Sequence, residues 1–351
     1  MRVHVTDLLN GDELSRDMFN NYGLHVLSKG TTLNEKEISK LFQHQIEYVD
    51  IEERQNSKPI SRTIESTINP KWLPSVQPIY ENAVKKTESL FMNALDQGFI
   101  NDQEVTSMLQ PLLNNLQMER DVVSMLLLLN TNDEYTYQHS VQVGMLSFYL
   151  ATWVGYSDEE AKQIGKAGFL HDIGKCRIDE SILNKAGKLT TEEFDEVKKH
   201  TIYGHEIISN SVYEPLFAYG ALQHHERNDG SGYPYGLSGE DIHPVAKIIS
   251  VVDIYSAMIS QRVYQNKRDL LLVLKEIYRL SFKELDAHTA HTFIKHMIPN
   301  FIGKRVELVS GEVGIIIMTH PTEFFQPLVQ IEDRFIDLTI ERDYEIKHVY
   351  I

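Results

Sequence analysis

Phe169-Leu170-His171-Asp172-Ile173-Gly174-Lys175 sets an imidazole and a carboxylate side by side at the end of an apolar helical stretch. A His-Asp doublet alone decides little. Here other ligand-type residues flank it on both sides: His139 upstream, then His200, His224-His225 and Asp253 downstream. Adjacent helical residues project about 100° apart, so the doublet can set one carboxylate between two ions while its imidazole binds only one of them. Asp172 is therefore the expected bridge, and these residues read as one metal site. Lys175, three residues on, lies roughly on the same face, where an ammonium can hold a phosphate oxygen or assist a leaving group.

Each residue also has a plainer reading. Taken alone, His139 would be a core histidine beside Val143, Leu146 and Leu150, His200 a surface residue, and Lys175 a cation at a helix C-terminus. The doublets and Asp253 change this. Asp253 sits in the nearly continuous apolar run Ile248 to Tyr255, where an unpaired carboxylate is costly and a metal partner removes the cost. His224-His225-Glu226 runs directly into Arg227-Asn228-Asp229-Gly230-Ser231-Gly232-Tyr233-Pro234-Tyr235-Gly236, whose glycines let backbone approach a ligand and whose Pro234 fixes the turn, as expected of a site wall. His288, His291 and His296 form a second helical set without nearby carboxylates and are assigned to surface or packing roles. Nitrogen and oxygen donors without cysteine favour iron, manganese or zinc over a structural zinc site. Two such ions can activate a bridging water for in-line attack on phosphorus, so phosphate-ester hydrolysis is the leading chemistry.

Working outward, residues 79–300 carry apolar residues at helical spacing and form the expected helical domain. Residues 1–53 read as a small α/β module, and 54–78, with Pro59, Pro70, Pro74 and Pro78 among Ser, Thr and Asn, as a linker. Beyond Asn300 the pattern turns to alternation, and 301–351 reads as a small β module. The fold class is thus mainly α with two small flanking modules. A length of 351 residues suits such a division, since single cores rarely grow past about 250–300 residues.

The net charge of −16 argues against long nucleic acid as a partner, because that affinity comes from neutralising phosphates with Lys and Arg. No apolar run approaches the roughly 18 residues of a membrane span, so no membrane insertion is expected. The single Cys176 excludes an internal disulfide framework and, with no secretory pattern over Met1 to Val5, points to the cytoplasm.

These residues resemble the HD-GYP subgroup of HD-domain metal phosphohydrolases over about Tyr135 to Gln265, with His171-Asp172 as the HD and Gly232-Tyr233-Pro234 as the GYP. His139, Lys175, His200 with Gly204, His224-His225-Glu226, Asp229-Gly230, Asp253, Arg262 and Tyr264 fall in the family's order. The resemblance implies an all-helical HD-type catalytic domain that hydrolyses cyclic di-GMP to linear pGpG and on to GMP. It implies two divalent metals, iron or manganese first. His139, His171, Asp172 and Asp253 would bind one, and Asp172, His200, His224 and His225 the other. Asp172 and Lys175 would be catalytic, while Lys175, Tyr233 and Arg262 would meet the substrate.

Three positions depart from the family's pattern. Tyr135 stands where three-metal members carry Glu; the Asp-x-x-Asp-Ala run is Asp253-Ile254-Tyr255-Ser256-Ala257; and Gln265 replaces a common basic residue. The second acid's contacts are therefore expected to be lost. This keeps two alternatives open: a low-activity cyclic dinucleotide-binding signalling module, and a phosphodiesterase for another cyclic dinucleotide. The flanking modules are expected to regulate or to form a homodimer.

Overall fold

A computed structural model describes residues 2–4, 8, 11–19, 25–44, 46, 48–52, 73–116, 135–185, 187–211, 214–259 and 270–350. The chain divides into two compact units, Met1–Pro70 with Ile298–Ile351, and Lys71–Met297.

The first unit draws on both ends of the sequence. From the N-terminal part come β1 (Arg2–His4), β2 (Met18–Phe19), β3 (His25–Leu27), α1 (Glu35–Gln43) and β4 (Tyr48–Asp50), with β1 antiparallel to β4 and β2 to β3. From the C-terminal part come β5 (Arg305–Leu308), β6 (Val313–Met318), β7 (Leu328–Ile331), β8 (Arg334–Asp337) and β9 (Ile346–Tyr350), in the sheet order β8-β7-β6-β5-β9. Residues 1–53 and 301–351, expected as two modules, supply one shared core in which Val313 joins Leu14, Leu33, Ile38, Val49 and Ile51. Arg305 also donates from Nη2 to the Leu8 carbonyl at 2.8 Å. Small segments bury a low fraction of their surface alone, so packing the two together adds to the core of each. The alternation at Ile336 and Leu338 marks the region of β8, whereas β7 carries no such signal: it is four residues long and leads into a turn at Glu332 with φ 53° rather than a glycine.

The second unit is helical, as expected. It opens with α2 (Leu73–Gln97), so residues 73–78 of the expected linker are helix. Pro74 lies in the first turn, where its missing N–H costs nothing. Pro78 loses one helical bond, against which Val76 and Tyr80 are buried. Next come α3 (Asp102–Leu116), α4 (Tyr135–Val154), α5 (Asp158–Leu170), the short α6 (Glu180–Leu183), α7 (Thr191–Lys198), α8 (His200–Ser209), α9 (Pro215–Gln223), α10 (Pro244–Ile259), α11 (Leu270–Leu280) and α12 (Ala287–Met297). Capping boxes start α5 at Ser157 with Glu160 and α7 at Thr190 with Glu193, so the first-turn N–H groups are satisfied and acidic side chains meet the helix dipole. Lys199 separates α7 from α8.

Small residues bring α4 and α5 together. A Cβ at Gly168 would collide with the side chain of Ser147 and crowd the Val143 carbonyl, so the two helices approach as closely as they do only with glycine there. That approach sets the His139 ring 5.2 Å from the ring of His171. Among the described residues, no helix is long and apolar enough to cross a membrane.

Candidate metal centre

Five helices deliver the expected ligands to one place. His139 lies in the first turns of α4, His171-Asp172 directly follow α5, His200 opens α8 after α7, His224-His225 follow α9, and Asp253 sits within α10. All but His225 are buried, and His225 is partly buried. Their donor atoms gather into two groups, Asp172 with His200, His224 and His225, and His139 with His171 and Asp253.

The helix ends explain the orientation of three imidazoles. The last carbonyls of a helix have no intrahelical partner, and a side chain just beyond the end can satisfy them. His171 uses Nδ1 to reach the Gly168 carbonyl at 2.7 Å, His200 the Val197 carbonyl at 2.7 Å, and His224 the Ala221 carbonyl at 2.9 Å. A carbonyl only accepts, so each of these Nδ1 atoms carries the proton. When the ring is neutral, its Nε2 is a bare lone pair directed inward.

Those lone pairs converge on carboxylates. Asp172 turns Oδ2 towards His171 Nε2 at 3.2 Å and His139 Nε2 at 3.8 Å, and Oδ1 towards His200 Nε2 at 3.4 Å and His224 Nε2 at 3.9 Å. Asp253 spans in the same way, with Oδ1 3.1 Å from His139 Nε2 and Oδ2 3.9 Å from His225 Nδ1. His200 and His224 present their Nε2 atoms to each other at 3.3 Å. His171 Nε2 and Asp172 Oδ1 are fully buried without a hydrogen-bond partner. Burying so many acceptors face to face is expensive unless a cation lies among them, and the donor set fits divalent metal.

Electrostatics agree. Burial pushes His200 down to about 4 and His224 and His225 well below the usual histidine range, with the neighbouring imidazoles adding to the effect at His224. All three are neutral at pH 7, the form in which an imidazole can hold a metal. At Asp172 burial opposes ionisation, but His171 and Lys175 hold the carboxyl well below its usual range, and at Asp253 the bond to His139 does the same. His171 differs: burial disfavours its charge, yet the Asp172 and Asp253 carboxylates raise its pKa.

Lys175, on the 3-10 turn Ile173–Arg177, puts Nζ 2.5 Å from Asp172 Oδ2 and keeps part of its side chain exposed. Gly174 makes that turn possible, because a Cβ there would strike the His200 carbonyl and the Gly204 amide. Tyr233 stacks on His225 at 4.6 Å and meets His200 edge-on at 6.4 Å, so the glycine-rich loop forms a wall of the site. Arg262, Gln265 and Tyr264 lie outside the described residues. His291 and His296 stay away from the centre: His291 stacks on Tyr278 and His296 on Trp153.

Glu226 and Ser256, to which the sequence assigned no role at the site, are also brought in. Glu226 is buried and accepts the N–H groups of Tyr235 at 2.8 Å and Leu237 at 2.9 Å, clamping the loop that carries Tyr233. Its place beside two ligands was the available signal. Ser256, read as a loss of contacts, in fact touches His139 Nδ1 at 3.0 Å. Cys176 is not a ligand, and burial pushes its thiol up to about 11.

Residues 122–287 match the family model described as HD domain. The match takes in 166 of the 351 residues. A cyclic di-GMP phosphodiesterase from Thermotoga maritima is 40% identical over 219 residues, covering 62% of this chain and 56% of that protein. The cyclic di-GMP phosphodiesterase PA4108 from Pseudomonas aeruginosa is 35% identical over 204 residues, covering 58% of this chain and 49% of that protein. The chain thus spans about half the length of these curated relatives. Among solved structures, Bd1817, described as a HDG"Y"P protein from Bdellovibrio bacteriovorus, superposes with a TM-score of 0.51 at 15% identity, over 84% of this chain and 97% of that one. That likeness supports the mainly α fold.

Proposed function

We propose that this chain is a binuclear-metal phosphodiesterase that hydrolyses cyclic di-GMP to linear pGpG and onward to GMP. The observation that carries the reading is the Asp172 carboxylate, whose two oxygens face two separate sets of imidazoles. The names of the 35–40% identical relatives support the substrate class. His139, His171, Asp172 and Asp253 would hold one ion and Asp172, His200, His224 and His225 the other, with iron or manganese suited to this nitrogen and oxygen set. When bound, such a pair supplies a nucleophile from water at neutral pH and neutralises phosphoryl oxygens.

The protein's own groups do the rest. Asp172 fixes both halves of the site in register. The Lys175 ammonium, held against Asp172 Oδ2 and part exposed at 28%, is placed to turn an N–H towards a phosphoryl oxygen. Tyr233, packed on His225, shapes the wall along which the sugar-phosphate ring would lie, and Arg262 would supply a second phosphate contact. We further propose a cytoplasmic location, consistent with a lone unpaired thiol, and a homodimer formed through the flanking unit, which sedimentation of the full chain checks.

Anaerobically purified protein, loaded with iron or manganese and incubated with cyclic di-GMP, is expected to release pGpG and then GMP on nucleotide chromatography. Intact cyclic di-GMP with both metals rejects the reading. Parallel incubations with other cyclic dinucleotides show whether the base is discriminated, since metals read phosphates and tell bases apart poorly.

A further inference from the structure

His139 differs from His171, His200 and His224 in how its ring is held. His171, His200 and His224 follow helix ends and turn Nδ1 onto helix-end carbonyls, so their tautomers are fixed. His139 lies inside α4, where carbonyls are committed to the helix, and its Nδ1 meets a side-chain hydroxyl instead, Ser256 Oγ at 3.0 Å. A hydroxyl both donates and accepts. Two arrangements are therefore open to this ring.

In the first, Nδ1–H donates to Ser256 Oγ, and Ser256 passes its own proton on to Gln142 Oε1 at 3.3 Å, while Gln142 Nε2 donates to the Tyr80 hydroxyl at 3.4 Å. The donors then all point away from the centre, and Nε2 offers its lone pair inward. In the second, Ser256 donates to Nδ1 and the proton sits on Nε2, where Asp253 Oδ1 accepts it at 3.1 Å. That arrangement blocks a metal. Ser256, Gln142 and Tyr80 are all buried, so water does not readily replace any link.

We propose that Ser256 is a positioning residue for His139: backed by Gln142, it selects the tautomer that binds metal, and because it is a two-way hydroxyl rather than a carbonyl, the His139–His171–Asp253 position binds metal more weakly than the Asp172–His200–His224–His225 position. Filling the weaker position requires the His139 ring to exchange its Asp253 hydrogen bond for the Ser256–Gln142 chain. The three carbonyl-fixed rings need no such exchange. The two positions consequently fill in sequence. This inference rests on the two-metal reading above.

The test uses the full chain and zinc, a diamagnetic probe, titrated against a chromophoric chelator. Wild type is expected to show two steps. Ser256→Ala should weaken the second step by about 10- to 100-fold, the usual effect of losing a ligand's hydrogen-bond partner, and leave the first within about threefold. Ser256→Thr, which keeps the hydroxyl, should restore it. Nitrogen-15 spectra of histidine-labelled wild type, with His139 assigned by difference from His139→Gln, should show Nε2–H without zinc and Nδ1–H with it. An unchanged second step in Ser256→Ala, or a His139 ring that is Nδ1–H in both states, overturns the proposal, and the wild-type spectra decide it even if the alanine variant fails to fold. A wild type that binds no zinc rejects the two-metal reading instead.

Discussion

The Nε2 atoms of His200 and His224 face each other at 3.3 Å while both Nδ1 atoms are tied to helix-end carbonyls. Two neutral imidazoles so arranged repel unless a cation lies between them or nearby. Removing metal is therefore expected to cost stability. At a hundredfold excess over its Kd, a metal that binds only the folded chain contributes about 2.7 kcal/mol. Calorimetry with and without manganese, after chelator treatment, should show a lower melting temperature for the stripped protein, recovered on adding metal back.

Asp172→Asn removes the charge shared by both halves of the centre and changes the shape little. Turnover is expected to fall by at least about 10³-fold, on the order of 4 kcal/mol of transition-state stabilisation. Elemental analysis should show the metal content dropping by one ion or more. A variant that keeps both ions and near-wild-type turnover refutes the bridging assignment.

Glu226 binds the loop rather than the metal. Losing two backbone N–H contacts to a buried carboxylate in Glu226→Ala is expected to destabilise by roughly 2–4 kcal/mol. Glu226→Gln retains one acceptor oxygen and should lose less. Limited proteolysis near Tyr235, compared across the three proteins, checks the order of loss.

Gly174→Ala tests the turn between Asp172 and Lys175. The added methyl meets backbone of His200 and Gly204, which cannot rotate away as a side chain could. Overpacking of this kind costs about 1–3 kcal/mol or more and would push α8, with His200 at its start, away from Asp172. Denaturant midpoints and metal affinity should fall together.

Cys176 gives a test set by pH. Burial raises its pKa from 9.0 to about 11, so the neutral thiol persists through the neutral range and the reactive thiolate accumulates only as pH approaches 11. At pH 8 the thiolate fraction is about 100-fold below that of an unshifted thiol. Iodoacetamide should label this single cysteine slowly at pH 8, faster with each pH step, and leave turnover unaffected meanwhile.

The candidate ligands were legible in the chain because burying His and Asp within apolar helical runs, as around Asp253 and His171, is a costly local choice that a metal would offset. Their helices were legible too, from the apolar period and the Ser157 and Thr190 caps. Ser256 and Glu226 were not. Their partners, His139 and the Tyr235 and Leu237 amides, lie 117, 9 and 11 residues away, and nothing local marks the pairing. The break at Lys199 was hidden as well, since no glycine or proline announces it, yet it places His200 where the Val197 carbonyl can fix its ring.

Residue chemistry along the chain thus marked which groups are candidates to bind metal and what kind of ion they would suit, because donor type is a property of single side chains. Which carboxylate oxygen faces which imidazole, and which ring nitrogen carries the proton, was decided by where five helices begin and end in space. Those are relations between elements far apart in the chain. The core shared by the two termini, with Val313 packed among N-terminal residues, has the same origin: it joins segments about 250 residues apart in the chain, which only folding brings together.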